Sequence, residues 1–186
     1  MKLFSKIKFR KNSGFTIIEL IIAIFILSFS IFGVYNAFIT VIVLTHGVSD
    51  RFIGAYLAQE GLEIIRNTRD TNWISGSINW RQGLQDCQDG CEADYTTGTN
   101  LPGAKSLTPW VGGNSGGVYL KINNNGFYNY ASGQDTNFKR KITITFLGNY
   151  IMKVFVSVSW KEKANVLNPT AEPGIIEAEE TLYNWY

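Results

Sequence analysis

The sequence is poor in the residues from which catalytic and metal sites are most often built. Its 186 residues include one histidine, His46, and two cysteines, Cys87 and Cys91. Because His46 lies at the end of an apolar stretch, a Ser-His-Asp or Cys-His group cannot assemble in a domain further along the chain. A zinc site normally requires four Cys or His ligands. We therefore expect no enzyme activity, no catalytic residues and no cofactor.

Basic residues are scarce beyond the first fourteen positions. The chain has 17 Lys and Arg against 15 Asp and Glu. Five of the basic residues lie within residues 1–14, which contain no acid: Lys2, Lys6, Lys8, Arg10 and Lys11. The rest of the chain therefore has 12 basic and 15 acidic residues, a net charge of −3. Binding to phosphates requires clustered cations, so nucleic acid is not an expected partner.

Residues 15–44 contain no proline and only one ionised side chain, Glu19. About 20 apolar residues suffice to cross a hydrocarbon core, so this stretch predicts a membrane-spanning helix. The basic residues before it favour a cytoplasmic position for the N terminus. A charge within such a segment costs on the order of 3 kcal/mol and usually has a partner and a function. Glu19 therefore calls for a partner.

The only plausible processing position, Gly14, precedes the apolar stretch. A secretory signal has the opposite order, with its cleavage site after the apolar core. Cleavage after Gly14 would leave the apolar segment on the mature protein and create an amino group on Phe15. That amine would lie four residues, or about one helical turn, before Glu19.

The segment Lys11-Asn12-Ser13-Gly14-Phe15-Thr16-Ile17-Ile18-Glu19-Leu20 resembles the class III signal of type IV prepilins and pseudopilins. The shared features are the basic leader, with Lys8, Arg10 and Lys11, the Gly-Phe junction, the spacing to Glu19 and the long apolar run. The resemblance implies that a prepilin peptidase cleaves between Gly14 and Phe15 and N-methylates Phe15. It also implies assembly with other pilin subunits into a helical filament by an inner-membrane platform.

Two pairings are open for the Glu19 carboxylate. The resemblance implies an ion pair with the N-terminal amine of a neighbouring subunit. Alternatively, Glu19 lies near the membrane edge, reaches the interface and pairs with the amine of its own Phe15. Many pilins have a helix-kinking proline at the position of Asn36, and this chain does not.

The helical pattern continues beyond the apolar run. Small and apolar residues recur at helical spacing and form one stripe: Gly54, Leu57, Ala58, Gly61, Leu62 and Ile65. This spacing predicts an amphipathic continuation of the helix over residues 46–70, with the stripe facing a folded domain. Residues 60–73 also resemble the region after the anchor in minor pilins.

Residues 71–186 are rich in Gly, Asn, Ser, Thr and aromatics, which is typical of loops and short strands. Strands are predicted over residues 118–122, 127–131, 139–147, 151–161 and 177–185. Residues 139–147 and 151–161 alternate most clearly, and Gly148-Asn149 between them fits a hairpin turn. The expected fold is α+β, with an antiparallel sheet packed on the second half of a long N-terminal helix. The resemblance implies the same pilin-like fold.

Cys87 and Cys91 predict a disulfide if the domain lies in an oxidising compartment; free thiols are the alternative. Acidic residues surround them and are weak candidates for calcium ligands: Asp86, Asp89, Glu92 and Asp94. Their spacing does not match an EF-hand, and a solvated acidic loop is the simpler interpretation. No other metal site is predicted.

Three functional hypotheses follow. The first is a type IV pilin-like structural subunit, of the minor type, and the second is a pseudopilin of a type II secretion system. The third is a membrane-anchored receptor or adhesin that forms no filament. In the first two, residues 1–14 are a cytoplasmic leader that is removed, residues 15–45 span the membrane and form the filament core, and residues 71–186 form an extracytoplasmic domain. The membrane lipid surrounds the helix before assembly, and the protein then joins a surface pilus or an envelope pseudopilus.

Overall fold

The computed structural model describes residues 14–76, 79–98, 106–113, 116–162 and 172–184. The basic leader residues Lys8, Arg10 and Lys11 lie outside the described residues. The chain divides into two compact units, Met1–Leu44 and Thr45–Tyr186.

A single helix, α1, runs over Ile17–Ile74, which confirms that the helix continues past the apolar run. It extends five residues beyond Arg69, where the sequence pattern weakens. Gly76 ends this region with a positive φ of 71° and donates its N–H to the carbonyl of Trp73 at 3.0 Å. Glycine adopts this left-handed conformation at little cost, so the helix stops there.

In its described residues the domain contains eight strands and a short 3₁₀ helix at Gln85–Cys87. The strands are β1 (Cys91–Glu92), β2 (Thr108–Pro109), β3 (Lys121–Ile122), β4 (Tyr128–Asn129), β5 (Gln134–Asp135), β6 (Phe138–Leu147), β7 (Ile151–Trp160) and β8 (Gly174–Tyr183). A five-stranded sheet has the order β2-β1-β6-β7-β8, and a three-stranded sheet has the order β4-β3-β5. All the pairings are antiparallel, as expected for the α+β class.

The three long strands agree with the sequence pattern, whereas the two short strands cover fewer residues than predicted. The strand predicted over residues 118–122 pairs only at Lys121–Ile122, and that over 127–131 only at Tyr128–Asn129. In the rest of these two segments, side chains accept several backbone N–H groups in place of a neighbouring strand. The Val118 N–H donates to the Glu92 carboxylate, and Asn129 Oδ1 accepts the N–H of Ser132 at 2.8 Å. Such local hydrogen bonds compete with strand pairing.

The core lies between the second part of α1 and the inward face of the larger sheet. β7 alternates strictly, and every second residue from Met152 to Trp160 is buried. The helix contributes buried side chains at helical spacing: Leu57, Ala58, Ile64 and Ile65. Full burial of such a side chain stabilises the fold by about 1.5–3 kcal/mol, so each of these residues contributes to the domain's stability.

Two glycines of α1 allow the helix to approach the sheet closely. A Cβ at Gly54 would lie 2.8 Å from Cζ3 of Trp160, and a Cβ at Gly61 would lie 2.9 Å from Cγ1 of Val156. Both distances are shorter than real contacts. The predicted helical stripe therefore faces the sheet, and its glycines are required by the packing.

Candidate functional site

The first turn of α1 brings the predicted assembly residues together. Residues 14–16 are not helical, and the helix begins at Ile17. The Oγ1 atom of Thr16 accepts the N–H of Glu19 at 3.3 Å, and the Thr16 carbonyl accepts the N–H of Leu20 at 3.2 Å. Thr16 therefore caps the helix and places Glu19 third in its first turn. A carboxylate is favoured there by the positive end of the helix dipole.

Sequence reasoning overlooked Thr16, although its signal was present. Thr16-Ile17-Ile18-Glu19 is a Thr-x-x-Glu pattern, which marks helix starts. The cap makes the position of Glu19 a consequence of local sequence, because it fixes where the helix begins.

Gly14 and Phe15 lie immediately outside the helix and are exposed. Phe15 is 81% exposed, and a Cβ at Gly14 would find no atom within 4 Å. Among the described residues, the junction predicted for cleavage is therefore non-helical and open. Exposed backbone without secondary structure is where proteolytic cleavage concentrates.

Polar side chains in the apolar part of α1 are directed at the helix's own backbone. Each donates to the carbonyl four residues earlier: Ser28 and Ser30 at 2.8 Å, and Asn36 and Thr40 at 2.9 Å. These bonds shield the polar groups and leave the helix unbroken. At Asn36, where many pilins kink at a proline, α1 continues without interruption.

The composition and length of α1 suit a membrane span. Its most apolar 18-residue window has a mean hydropathy of 2.7, and none of that window is buried within the chain. Core helices of soluble proteins and signal sequences also reach such values. The interpretation of α1 as a membrane span therefore depends on the residues at its start.

A second cluster of functional groups centres on Arg140 in the domain. Arg140 is fully buried, and its Nη1 donates to the Leu57 carbonyl at 2.9 Å and to Oε2 of Glu60 at 2.8 Å. Its Nη2 donates to the carbonyl of Ala93. The guanidinium thus connects α1, β6 and the residue after β1. A buried charge is tolerated only with such partners.

Arg140 was not identified from the sequence either. It occupies an inward position of β6, in the same alternation as Ile142 and Ile144. A basic residue on an apolar face was a readable sign of a buried ion pair, but its partner Glu60 is 80 residues away.

The acidic residues near the cysteines that the structure describes have different surroundings. Asp89 is exposed, and the side chain of Asp86 lies outside the described part. The Glu92 carboxylate accepts the N–H of Val118. Asp94 accepts the N–H of Thr96 at 2.9 Å and that of Tyr130 at 3.1 Å. Among the described residues, no group of three His, Cys, Asp or Glu side chains could hold a metal ion.

Burial raises the pKa of the Glu92 carboxyl above its ordinary value. The hydrogen bond from Val118 and the charge of Lys139 oppose this shift. Desolvation disfavours the ionised form, while both opposing interactions favour it. Glu92 therefore acts as a buried acceptor that holds the segment at Val118 against β1.

Cys87 and Cys91 form a disulfide, with their Cα atoms 5.0 Å apart. Both are buried and belong to the hydrophobic core. The bond joins the 3₁₀ helix to β1. Between them, Gly90 has a φ of 107°, and a Cβ there would strike the side chain of Lys141. The disulfide thus attaches this short loop to β1, and Gly90 lies closely against Lys141 of β6.

One family model matches the chain: the Prokaryotic N-terminal methylation motif, over residues 9–35. It covers the Gly14-Phe15 junction, the helix start and Glu19. No curated protein and no solved structure matches the chain. The chain thus carries the signal shared by type IV pilins and pseudopilins. This signal indicates a structural subunit rather than an enzyme, and together with the apolar helix it indicates membrane anchoring.

Proposed function

We propose that this protein is a structural subunit of a type IV pilin-like filament, of the minor type. It is inserted in the membrane through α1, cleaved after Gly14, N-methylated at Phe15 and assembled through the helix. One observation carries the proposal: the methylation motif falls on the segment where a capped helix begins two residues after Phe15, with Glu19 in its first turn.

The proposed orientation places residues 1–14 in the cytoplasm and the domain outside. The basic leader supports this direction, because lysine and arginine are retained on the cytoplasmic side. The disulfide between Cys87 and Cys91 agrees with it, since disulfides persist in oxidising compartments. The partners are then prepilin peptidase, membrane lipid, the inner-membrane platform and other pilin subunits.

The proposed role of Glu19 follows from its place in the helix. Cleavage creates an ammonium group on Phe15, one turn away at most, in a medium of low dielectric. An unpaired carboxylate in that medium is penalised heavily, whereas a close ammonium compensates it. In this scheme Glu19 meets the amine of its own chain before assembly and that of a neighbouring subunit afterwards. The second pairing would set the register between subunits.

The N terminus of the native protein tests processing directly. Mass spectrometry of protein isolated from membranes should find a terminal peptide that begins with methylated Phe15. A terminal peptide that still contains residues 1–14 would contradict the proposal and would favour an anchored receptor or adhesin.

Substitution of Glu19 tests assembly separately from processing. We expect Glu19→Ala and Glu19→Gln to be cleaved normally but to enter filaments at least about tenfold less, because each removes the charge of the pair. The two differ in size, so equal losses identify the charge as the cause. Glu177→Gln, an exposed carboxylate on β8, is the control and should assemble normally. Normal filament yield from both Glu19 variants would refute the pairing role.

A pseudopilin of a type II secretion system fits the same motif. Shearing of intact cells separates the two alternatives. Sheared surface filaments that contain the protein would support a pilus subunit. Confinement to the envelope, together with a secretion defect on deletion, would support a pseudopilin.

A further inference from the structure

The apolar run contains one side-chain amide, that of Asn36, and no step of processing uses it. Residues 15–44 are centred between positions 29 and 30, so Asn36 lies about 10 Å along the helix from the middle. This distance is within the half-thickness of about 15 Å of a hydrocarbon core. The side chain is exposed on the helix surface. It therefore faces either lipid or another helix.

The hydrogen-bond capacity of Asn36 is only partly used. An amide has two N–H donors and one oxygen acceptor. One N–H donates to the Phe32 carbonyl at 2.9 Å. Within the described part of the chain, no hydrogen bond occupies the other N–H or the oxygen. Unpaired polar groups in hydrocarbon cost several kcal/mol each, so a partner is strongly favoured.

The nearby serine and threonine hydroxyl groups cannot supply that partner as donors. Each hydroxyl has one proton, and three of them already donate it to the backbone of their own helix: Ser28, Ser30 and Thr40. The same holds for these residues in any second copy. Among these four polar side chains, the Asn36 amide alone keeps both a donor and an acceptor.

That remaining pair of groups is self-complementary. Two amides side by side can exchange two N–H···O bonds, one in each direction. Identical chains enter the membrane in the same direction, so their Asn36 residues lie at the same depth. Gly33, one turn earlier on the same helix face, has nothing within 4 Å of a Cβ position. A small residue at this place lets a second helix approach closely.

We propose that Asn36 joins two copies of this chain in the membrane through a symmetric amide pair. The contact uses the same residues on both helices, as a two-fold interface does. It needs only the membrane-spanning helix, so it does not depend on cleavage, methylation or filament formation. The pair would hold subunits together in the membrane independently of their entry into a filament.

The test measures self-association of the full chain in the membrane of a host that lacks pilus machinery. Two populations carry donor and acceptor fluorophores at their C termini, and energy transfer is measured as a function of expression level. We expect Asn36→Leu to weaken association roughly fivefold, which is the scale of interhelical hydrogen bonds. Asn36→Gln retains the amide and should keep most of the association. Ser30→Ala is the matched control, because its proton is already used, and should resemble the natural chain.

The outcomes separate cleanly. Equal association of Asn36→Leu and the natural chain overturns the inference, as does equal weakening by Asn36→Leu and Ser30→Ala. Absence of self-association in the natural chain also overturns it, because the occupant is then a different membrane protein. Carbonate extraction shows that each variant is inserted. None of these results bears on the proposed filament function, which the N-terminal peptide and the Glu19 variants test.

Discussion

Residues 14–44 and the domain from residue 45 onward differ in how far they bury their apolar side chains. In the first region Phe25 and Phe32 are 68% and 70% exposed, whereas Ile142 and Val154 of the domain are fully buried. Polar groups differ too. Ser28 donates to its own helix, while Arg140 reaches groups 47 to 83 residues away in sequence. The domain thus supplies its own partners, whereas the large apolar side chains of the N-terminal region stay exposed in the described chain.

Substitution of Arg140 should cause the largest loss of stability in the domain. We expect Arg140→Ala to lower the free energy of unfolding by about 3–5 kcal/mol, because it removes a buried partner and leaves a cavity. Urea unfolding of the detergent-solubilised protein measures the loss. Arg66→Ala is the control, since that arginine is half-exposed beside Glu180 and should cost at most about 1 kcal/mol. A loss below about 1 kcal/mol for Arg140→Ala would show that the buried pair contributes little.

Two glycines of α1 allow the two regions to be compared within one helix. Gly54→Ala should destabilise the domain by about 1–3 kcal/mol, because the new Cβ would overlap the rigid Trp160 ring. Gly33→Ala adds the same methyl group where nothing lies within 4 Å, and alanine favours helix. Its effect on thermal unfolding should therefore be neutral or slightly stabilising. Equal effects of the two substitutions would contradict the assigned packing.

The buried carboxyl of Glu92 gives the smallest expected effect, which depends on pH. Its folded pKa is raised above the ordinary value of 4.5. The stability it contributes is thus fully present below about pH 4.5 and is lost as the pH rises through the folded pKa. Glu92→Gln keeps an oxygen acceptor for Val118 but does not titrate. We expect the variant to be slightly more stable than the natural chain at neutral pH, and this advantage to vanish on acidification.

Unfolding midpoints measured from neutral to acidic pH check this prediction. Glu177→Gln serves as an exposed control and should follow the natural chain throughout. An advantage of Glu92→Gln that grows as the pH falls would reverse the assigned sign and exclude burial as the main cause.

Long periodic elements could be predicted from sequence, and short ones could not. α1, β6 and β7 repeat their apolar residues over many positions, so their types and most of their bounds follow from period alone. β1, β2 and β5 have two residues each and no period to read. Their pairing depends on which strand lies beside them. The turn at Gly148 has three residues between Leu147 and Ile151, one more than its Gly-Asn signature indicates.

The candidate site divides in the same way. Gly14, Phe15 and Glu19 could be predicted because the signal consists of residues at fixed spacing along the chain. The matched motif covers the same residues. The calcium candidates had no such spacing. In the structure, Glu92 and Asp94 are acceptors for backbone N–H groups of residues 26 and 36 positions away. That assignment could be made only once the chain had folded.

The order of residues along the chain is enough to set the N-terminal signal, the apolar run, the capped helix start and the alternation of the three long strands. Each depends on neighbours within a few residues, so local stereochemistry and hydrophobicity suffice. The folded chain was needed to show that Arg140 binds Glu60, that Gly54 lies against Trp160 and that Glu92 accepts the N–H of Val118. These contacts join residues that are distant in sequence. Their polar interactions are strengthened because folding removes the groups from water.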